Sequence, residues 1–365
     1  MRIALVAPLV TPISQPFLGG SQAMVADLAM GMAQRGHQVT LFARRGSSVP
    51  GIHIESVAVP EHVTPSSFAE PGKEQSLDPG FMAQANVFLE LYLQLRQRAR
   101  EFDLIHAHAF DWPSFACSTL ITAIPVLHTV HLPAISPEIN NVLSVLERQQ
   151  HPVNLLTVSQ ACARDYADYC TFDHVIYNGL DIEAIPFSAH VSPDAPLLFA
   201  GRITPEKGVE QAIEIAEIAE RRLIIAGGIY DRRYHEERIL PRIARKPEQL
   251  TYVGQLDHTT LWKLMTEVQG LLFPIAWDEP FGLTPVEAMA AGTPVIAFQR
   301  GAMPEIIRHG QTGFLIPPGD CPRAAEAVQH LSSLSREGCR AHAQSNFSLQ
   351  HMLDAHEAIY QRSIS

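Results

Sequence analysis

Short apolar runs alternate with stretches whose apolar positions recur at helical spacing along almost the whole chain. In the first half the runs occupy residues 3–7, 39–43, 104–106, 126–130, 155–158 and 174–177. In the second half they occupy residues 197–200, 223–226, 251–253, 271–273, 295–298 and 314–316. Such runs are too short for helices, and Gly, Pro or Asp flanks most of them. They read as strands buried on both faces, which is the pattern of parallel sheets covered by helices. Two sheets of about six strands each follow from the count. Residues 21–35 form the clearest helix, with Met24, Val25, Leu28, Ala29 and Met32 on one face and Gly36 placed to cap it.

Two irregular segments interrupt this alternation. Residues 181–196 hold three prolines and no sustained period, and they mark a domain boundary. Residues 60–80 form a long segment without a pattern, a length that in compact domains goes with function or disorder. The expected organisation is an α/β fold with domains at 1–185 and 186–345. A helical tail over 346–365, with its pattern at 349–362, is expected to cross back to the first domain.

Composition narrows the function classes. The chain has 365 residues, enough for two domains, and 46% hydrophobic against 18% charged residues lets each bury a core. Lys plus Arg is 27 and Asp plus Glu is 38, a net charge of −11, so nucleic acid is not an expected partner. An anionic ligand must instead be met by a few placed cations and helix N-termini. Five cysteines, none in a C-x-x-C pair, suit a reducing, cytoplasmic location. The first apolar run is too short for a signal peptide, and no stretch reaches the ~20 residues that span a bilayer.

Four groups of residues carry candidate chemistry. Gly19 and Gly20 precede Ser21 at the start of the first helix, where free amides suit a phosphate; equally, the glycines only turn the loop and Ser21 is an N-cap. The turn Gly201-Arg202-Ile203-Thr204-Pro205-Glu206-Lys207-Gly208 follows the strand at 197–200 and places two cations where open α/β sheets bind ligands. Against a diphosphate each cation at ~4 Å is worth roughly 4 kcal/mol at an effective dielectric near 20; the plain reading is a solvated turn. In the run from Asp278 to Met289, Glu279 and Glu287 stand eight apart. Thr284 with Glu287 reads as a capping box and Pro285 as a first helical residue, yet the Glu287 carboxylate would also suit two vicinal hydroxyls. The fourth group is His106, His108 and Asp111 with His128 and His131. It departs from the H-x-H-x-D-H order of metallo-hydrolases, because Asp111 comes one place late, and no metal is expected. His131, at a strand end before Leu132-Pro133, is the better ligand-facing candidate.

In this order the motifs resemble the retaining glycosyltransferases of family 4, which have the GT-B fold. The resemblance runs through GGSQAMVADLAMGMAQRGHQVTLFA, DLIHAH, HTVH, TVSQ, VIYNGLD, GRITPEKG, EPFGLTPVEAMAAGTPVIA and GAMPEIIRHGQTGFLIPPGD. It implies two Rossmann-like doubly wound domains facing each other across a cleft. Arg202 and Lys207 are then expected to hold the diphosphate of a nucleotide sugar, with Gly20, beside Gly19, near the same phosphates. Glu287 is expected on the ribose, and Glu279 with the amides of Phe281, Gly282 and Leu283, beside Thr284, on the transferred sugar. His131 is expected to reach the sugar near its reacting carbon, and Val253 and Gly254 to meet the base. Asn178, Gly179 and Asp181 match a motif with a structural role. The resemblance implies a UDP-glucose-type donor, an unidentified hydroxyl acceptor, no cofactor or metal, and a front-face mechanism. A sugar-nucleotide epimerase, a non-catalytic sugar-nucleotide-binding protein and a metal-dependent hydrolase are the alternatives weighed against it.

Overall fold

The computed structural model describes residues 1–15, 17, 20–59, 79–151 and 153–365. Gly19, and residues 60–78 of the long irregular segment, lie outside them; residues 79 and 80 open the helix Pro79–Gln97. The chain divides into two compact units, Met1–Gly179 with Leu349–Ser365, and Leu180–Ser348. The change-over at 179/180 and 348/349 compares with the expected 185/186 and 345/346. Leu180 already belongs with the second unit because its amide donates to the Phe347 carbonyl at 2.9 Å and it bridges Ser348.

The first unit is built on β1 (Arg2–Val6), β2 (Gln38–Arg44), β3 (His53–Val57), β4 (Leu104–Ala107), β5 (Val126–Val130), β6 (Asn154–Thr157) and β7 (His174–Val175). All neighbours pair in parallel, in the order β3-β2-β1-β4-β5-β6-β7. The second unit holds β8 (Leu197–Ala200), β9 (Leu223–Ala226), β10 (Leu250–Gly254), β11 (Gly270–Phe273), β12 (Val295–Phe298) and β13 (Gly313–Ile316), again parallel, in the order β10-β9-β8-β11-β12-β13. Every apolar run became a strand. The strand that periodicity missed is β3, whose sequence HIESV is half exposed at the sheet edge and therefore carries no continuous apolar signal.

Both orders reverse direction at their first strand. Helices therefore pass to opposite faces from that point, and the strand ends leave a crevice there: at β1/β4 in the first unit and β8/β11 in the second. The first helix, Gly20–Gln34, ends as its sequence predicts. Gly36 adopts φ +85°, its amide reaches the Ala33 carbonyl and that of His37 reaches Met32, which is a Schellman closure. Ser21 lies within the helix and is not its N-cap. The tail helix Leu349–Ser363 lies in the first unit, where Met352, Leu353, Ile359 and Tyr360 join the core of β1, β2 and the first helix. Arg35 pairs with Asp354 at 2.6 Å and Glu357 at 2.9 Å across that packing.

Gly208, at φ +78°, ends the turn after β8, and a side chain there would collide with the Pro274 carbonyl oxygen. Gly208→Ala is therefore expected to cost at least about 2 kcal/mol. Gly36→Ala, with the same sign of φ but open space around it, is expected to cost only ~1 kcal/mol. Equal losses in chemical denaturation of the two variants would show that the close approach to Pro274 is not what Gly208 provides.

Candidate functional site

In the second unit, β8 and β11 are neighbours, so the turn after one strand meets the loop after the other. The contact starts in the backbone, where the Ala276 amide donates to the Glu206 carbonyl at 2.9 Å. It continues in the side chains: Lys207 Nζ donates to Glu279 Oε2 at 2.6 Å, with only 14% and 15% of the two side chains exposed. Trp277 Nε1 donates to the same oxygen at 2.9 Å, and the Lys207 ammonium lies 4.9 Å from the Trp277 ring centre. A cation, a carboxylate and an indole thus converge at the strand-order reversal. The loop carrying Glu279 is held in turn by β12's end. The Ala302 amide donates to the Glu279 carbonyl at 2.9 Å, and Arg300 Nη1 donates to the Ala276 carbonyl at 2.7 Å.

Arg202 leaves the same turn but is more exposed, at 38%. Its Nη2 lies 3.6 Å from Glu206 Oε1 and its guanidinium 5.5 Å from the Tyr230 ring centre. Tyr230 follows β9. Beside it, β10 ends in Val253, which is exposed, and Gly254, whose carbonyl accepts from the Gly227 amide at 2.8 Å. Tyr230, Val253 and Gly254 thus stand at the carboxyl ends of β9 and β10, on the side of the β8 turn away from Glu279.

The cap of the helix Leu283–Ala290 lies two residues before the expected one. Gly282, at φ +98°, is its N-cap, which puts Thr284 and Pro285 inside the first turn and Glu287 beyond it. The capping box is therefore not formed. Glycine takes the left-handed cap position at little cost, so the helix starts there rather than at Thr284. The buried Glu287 instead accepts from Trp262 Nε1 at 3.0 Å, and His258 Nδ1 lies 3.9 Å from the same oxygen. Burial raises the Glu287 pKa, opposed by the Trp262 hydrogen bond and the His258 charge. The amides of Gly282, Leu283 and Thr284 stand at a helix start, where no intrahelical acceptor exists for them. Phe281 is buried with its ring edge-on to Phe347, and this anchors the loop.

In the first unit, Gly20 is the exposed first residue of its helix. The candidate histidines line up as a buried ladder. His131 Nε2 and His108 Nδ1 are 3.0 Å apart, and the His108 and His106 rings are 4.0 Å apart at their centres. His106 bonds Tyr360 OH at 2.6 Å and Thr129 Oγ1 at 2.7 Å, and His356 lies 5.4 Å from it. His128 packs on Phe115. Burial keeps all five rings neutral: His106 and His108 fall well below the usual imidazole value, His128 and His131 to about 3, and His356 to about 4. Asp111 is pushed up to about 6 by burial, an effect that the nearby Gln84 opposes. Among the described residues no three His, Cys, Asp or Glu side chains converge to hold a metal.

Residues 18–184 match the description "Glycosyltransferase Family 4", and residues 182–346 match "Glycosyl transferases group 1". The glycogen synthase of Mycobacterium tuberculosis is 30% identical over 91% of this chain and 86% of its own length. The chain belongs to glycosyltransferase family 4. This transferase has the GT-B fold, two Rossmann-like α/β domains. Sucrose-phosphate synthase from Thermosynechococcus elongatus superposes with a TM-score of 0.79 over 99% of each chain, at 19% identity. Anabaena HepE in complex with UDP-glucose superposes with a TM-score of 0.72 over 99% of this chain and 100% of its own, also at 19% identity. Among the described residues of the transferase no helix is long and apolar enough to cross a membrane.

Sequence reasoning missed Trp277, Trp262, His258 and Tyr230. Trp277, two residues before Glu279, was open to suspicion as an aromatic beside a charged motif. Trp262 carries no such signal, because it stands 25 positions from Glu287 on another helix.

Proposed function

We propose that this transferase moves a hexosyl group from a nucleoside diphosphate sugar, of UDP-glucose type, to a hydroxyl acceptor with retention at the anomeric carbon. The carrying observation is the Lys207–Glu279 pair at the β8/β11 reversal, with Arg202 in the same turn. An ammonium has three donors; Glu279 takes one and two remain for phosphate oxygens. Arg202 adds a planar fork suited to phosphate. Glu287 serves the ribose and Glu279 a hydroxyl of the transferred sugar. The amides of Phe281, Gly282 and Leu283 assist Glu279, and Val253 and Gly254 border the base. His131 meets the sugar as a neutral ring, and Gly20 lends its helix N-terminus to the phosphates.

In the front-face step the bond from the anomeric carbon to the diphosphate oxygen breaks. The acceptor oxygen bonds to that carbon on the same face, and its proton passes to the departing diphosphate. Arg202 and Lys207 stabilise the charge that develops on the leaving group, so the step is written without a metal. Five free cysteines support a reducing, cytoplasmic setting. The test is a screen of UDP-glucose, GDP-mannose and ADP-glucose for slow donor hydrolysis with chelator present, alongside melting shifts with UDP, GDP and ADP. UDP-glucose is expected to be cleaved and UDP to give the largest shift. No cleavage of any donor, together with no shift, would overturn the proposal.

A further inference from the structure

Two tryptophans outside every recognised motif each hold one oxygen of a site carboxylate. Trp277 Nε1 and Lys207 Nζ both donate to Glu279 Oε2, at 2.9 and 2.6 Å. Trp262 Nε1 donates to Glu287 Oε1 at 3.0 Å. The other oxygens, Glu279 Oε1 and Glu287 Oε2, accept no hydrogen bond among the described residues, and neither is sealed from the surface. Glu279 and Glu287 thus share one feature: an indole anchors one oxygen, joined at Glu279 by the Lys207 ammonium, and the other oxygen is free to accept.

An indole suits this task for a chemical reason. It has one donor and no acceptor, and it carries no charge, so it occupies one oxygen without neutralising the carboxylate. Its plate packs rigidly and limits rotation of the carboxylate about its terminal bond. The free oxygen, with two lone pairs and its share of the carboxylate charge, then points in one direction, ready for the hydroxyls of a ligand. A lysine or arginine alone in that place would weaken the carboxylate as an acceptor.

We infer that Trp277 and Trp262 are positioning residues that commit Glu279 Oε1 to a hydroxyl of the transferred sugar and Glu287 Oε2 to the ribose hydroxyls. This rests on the donor reading above, and it separates the two tryptophans by which part of the donor each serves. Trp277 acts on the sugar alone, whereas Trp262 acts on the nucleoside.

Calorimetric titration of Trp277→Phe and Trp262→Phe with UDP and with UDP-glucose tests this. Phenylalanine keeps the aromatic plate and removes only the N–H. Trp277→Phe is expected to leave the Kd of UDP unchanged and to raise that of UDP-glucose about tenfold, whereas Trp262→Phe raises both about tenfold. Trp277→His, whose ring N–H can replace the indole donor, is expected to recover part of the loss. Trp277→Phe placed on Glu279→Gln should add little to the loss from Glu279→Gln alone. Melting curves of every variant, and retained UDP binding by Trp277→Phe, verify that the second unit is folded. Equal weakening of UDP and UDP-glucose by Trp277→Phe would overturn the inference, because the indole would then serve the Lys207 charge. Unchanged affinities in both phenylalanine variants would overturn it as well. Wild-type protein that binds neither UDP nor UDP-glucose would overturn the donor reading, and this inference with it.

Discussion

Lys207→Ala is expected to lower kcat/KM for the donor by at least about a hundredfold, the scale seen when one preorganised charge-stabilising donor is removed. At ~4 Å from a phosphate oxygen an ammonium is worth roughly 4 kcal/mol at an effective dielectric near 20, approaching a thousandfold. Partial exposure reduces that figure, yet the Lys207 side chain is only 14% exposed and rests against Trp277. Arg202→Ala should cost less, because its side chain is 38% exposed and solvent screens it more. Lys207→Arg should not restore activity, because a planar fork cannot sit as a point charge between the Trp277 face and Glu279 Oε2. Lys207→Ala also strands the Glu279 charge, so its melting temperature must be compared with that of Lys207→Ala combined with Glu279→Gln. Donor kinetics close to wild type in folded Lys207→Ala would remove the diphosphate role.

Acidification from pH 7.5 to 5 is expected to destabilise the first unit by several kcal/mol. The cause is the histidine ladder. His128 and His131 titrate at about 3 and His356 at about 4 in the folded state, while His106 and His108 lie well below the ordinary value. All are depressed, so in the window below the unfolded value of ~6.5 the unfolded chain binds more protons, and stability falls as pH falls. At pH 5 each of the three with a stated value loses about 2 kcal/mol, together about 6, which is comparable with the whole stability of a typical domain. Asp111, pushed up to about 6, works in the opposite direction. The folded state holds its proton more tightly, so acidification over the same range returns only about 1 kcal/mol. Melting temperatures at pH 7.5, 6 and 5 should fall progressively, and His128→Phe, which keeps an aromatic ring against Phe115, should flatten the slope. A melting temperature independent of pH across that range would contradict the buried neutral ladder.

The apolar runs disclosed the sheets because parallel strands are buried on both faces, so almost every residue of β8, β11 and β12 is apolar. The edge strand β3 escaped for the converse reason. The turn from Gly201 to Gly208 was legible because it sits directly after a strand and holds both cations within a few residues. The pairing of Lys207 with Glu279 was not legible as a contact, because 72 positions separate them and only the strand order makes them neighbours. The helix start at Gly282 was misread because Thr284 and Glu287 satisfy a local capping rule. The left-handed Gly282, two residues earlier, outcompetes it. The return of the tail helix to the first unit was expected, but the His106–Tyr360 bond it makes there spans 254 positions and no local pattern encodes it.

A crystal structure of the protein soaked with UDP tests whether Lys207 and Arg202 hold a diphosphate. Both phosphates are expected at the carboxyl ends of β8 and β11, one hydrogen-bonded to Lys207 Nζ and the pair spanned by the Arg202 guanidinium. UDP density elsewhere on the chain, with the Lys207 and Arg202 side chains touching no phosphate oxygen, would contradict it.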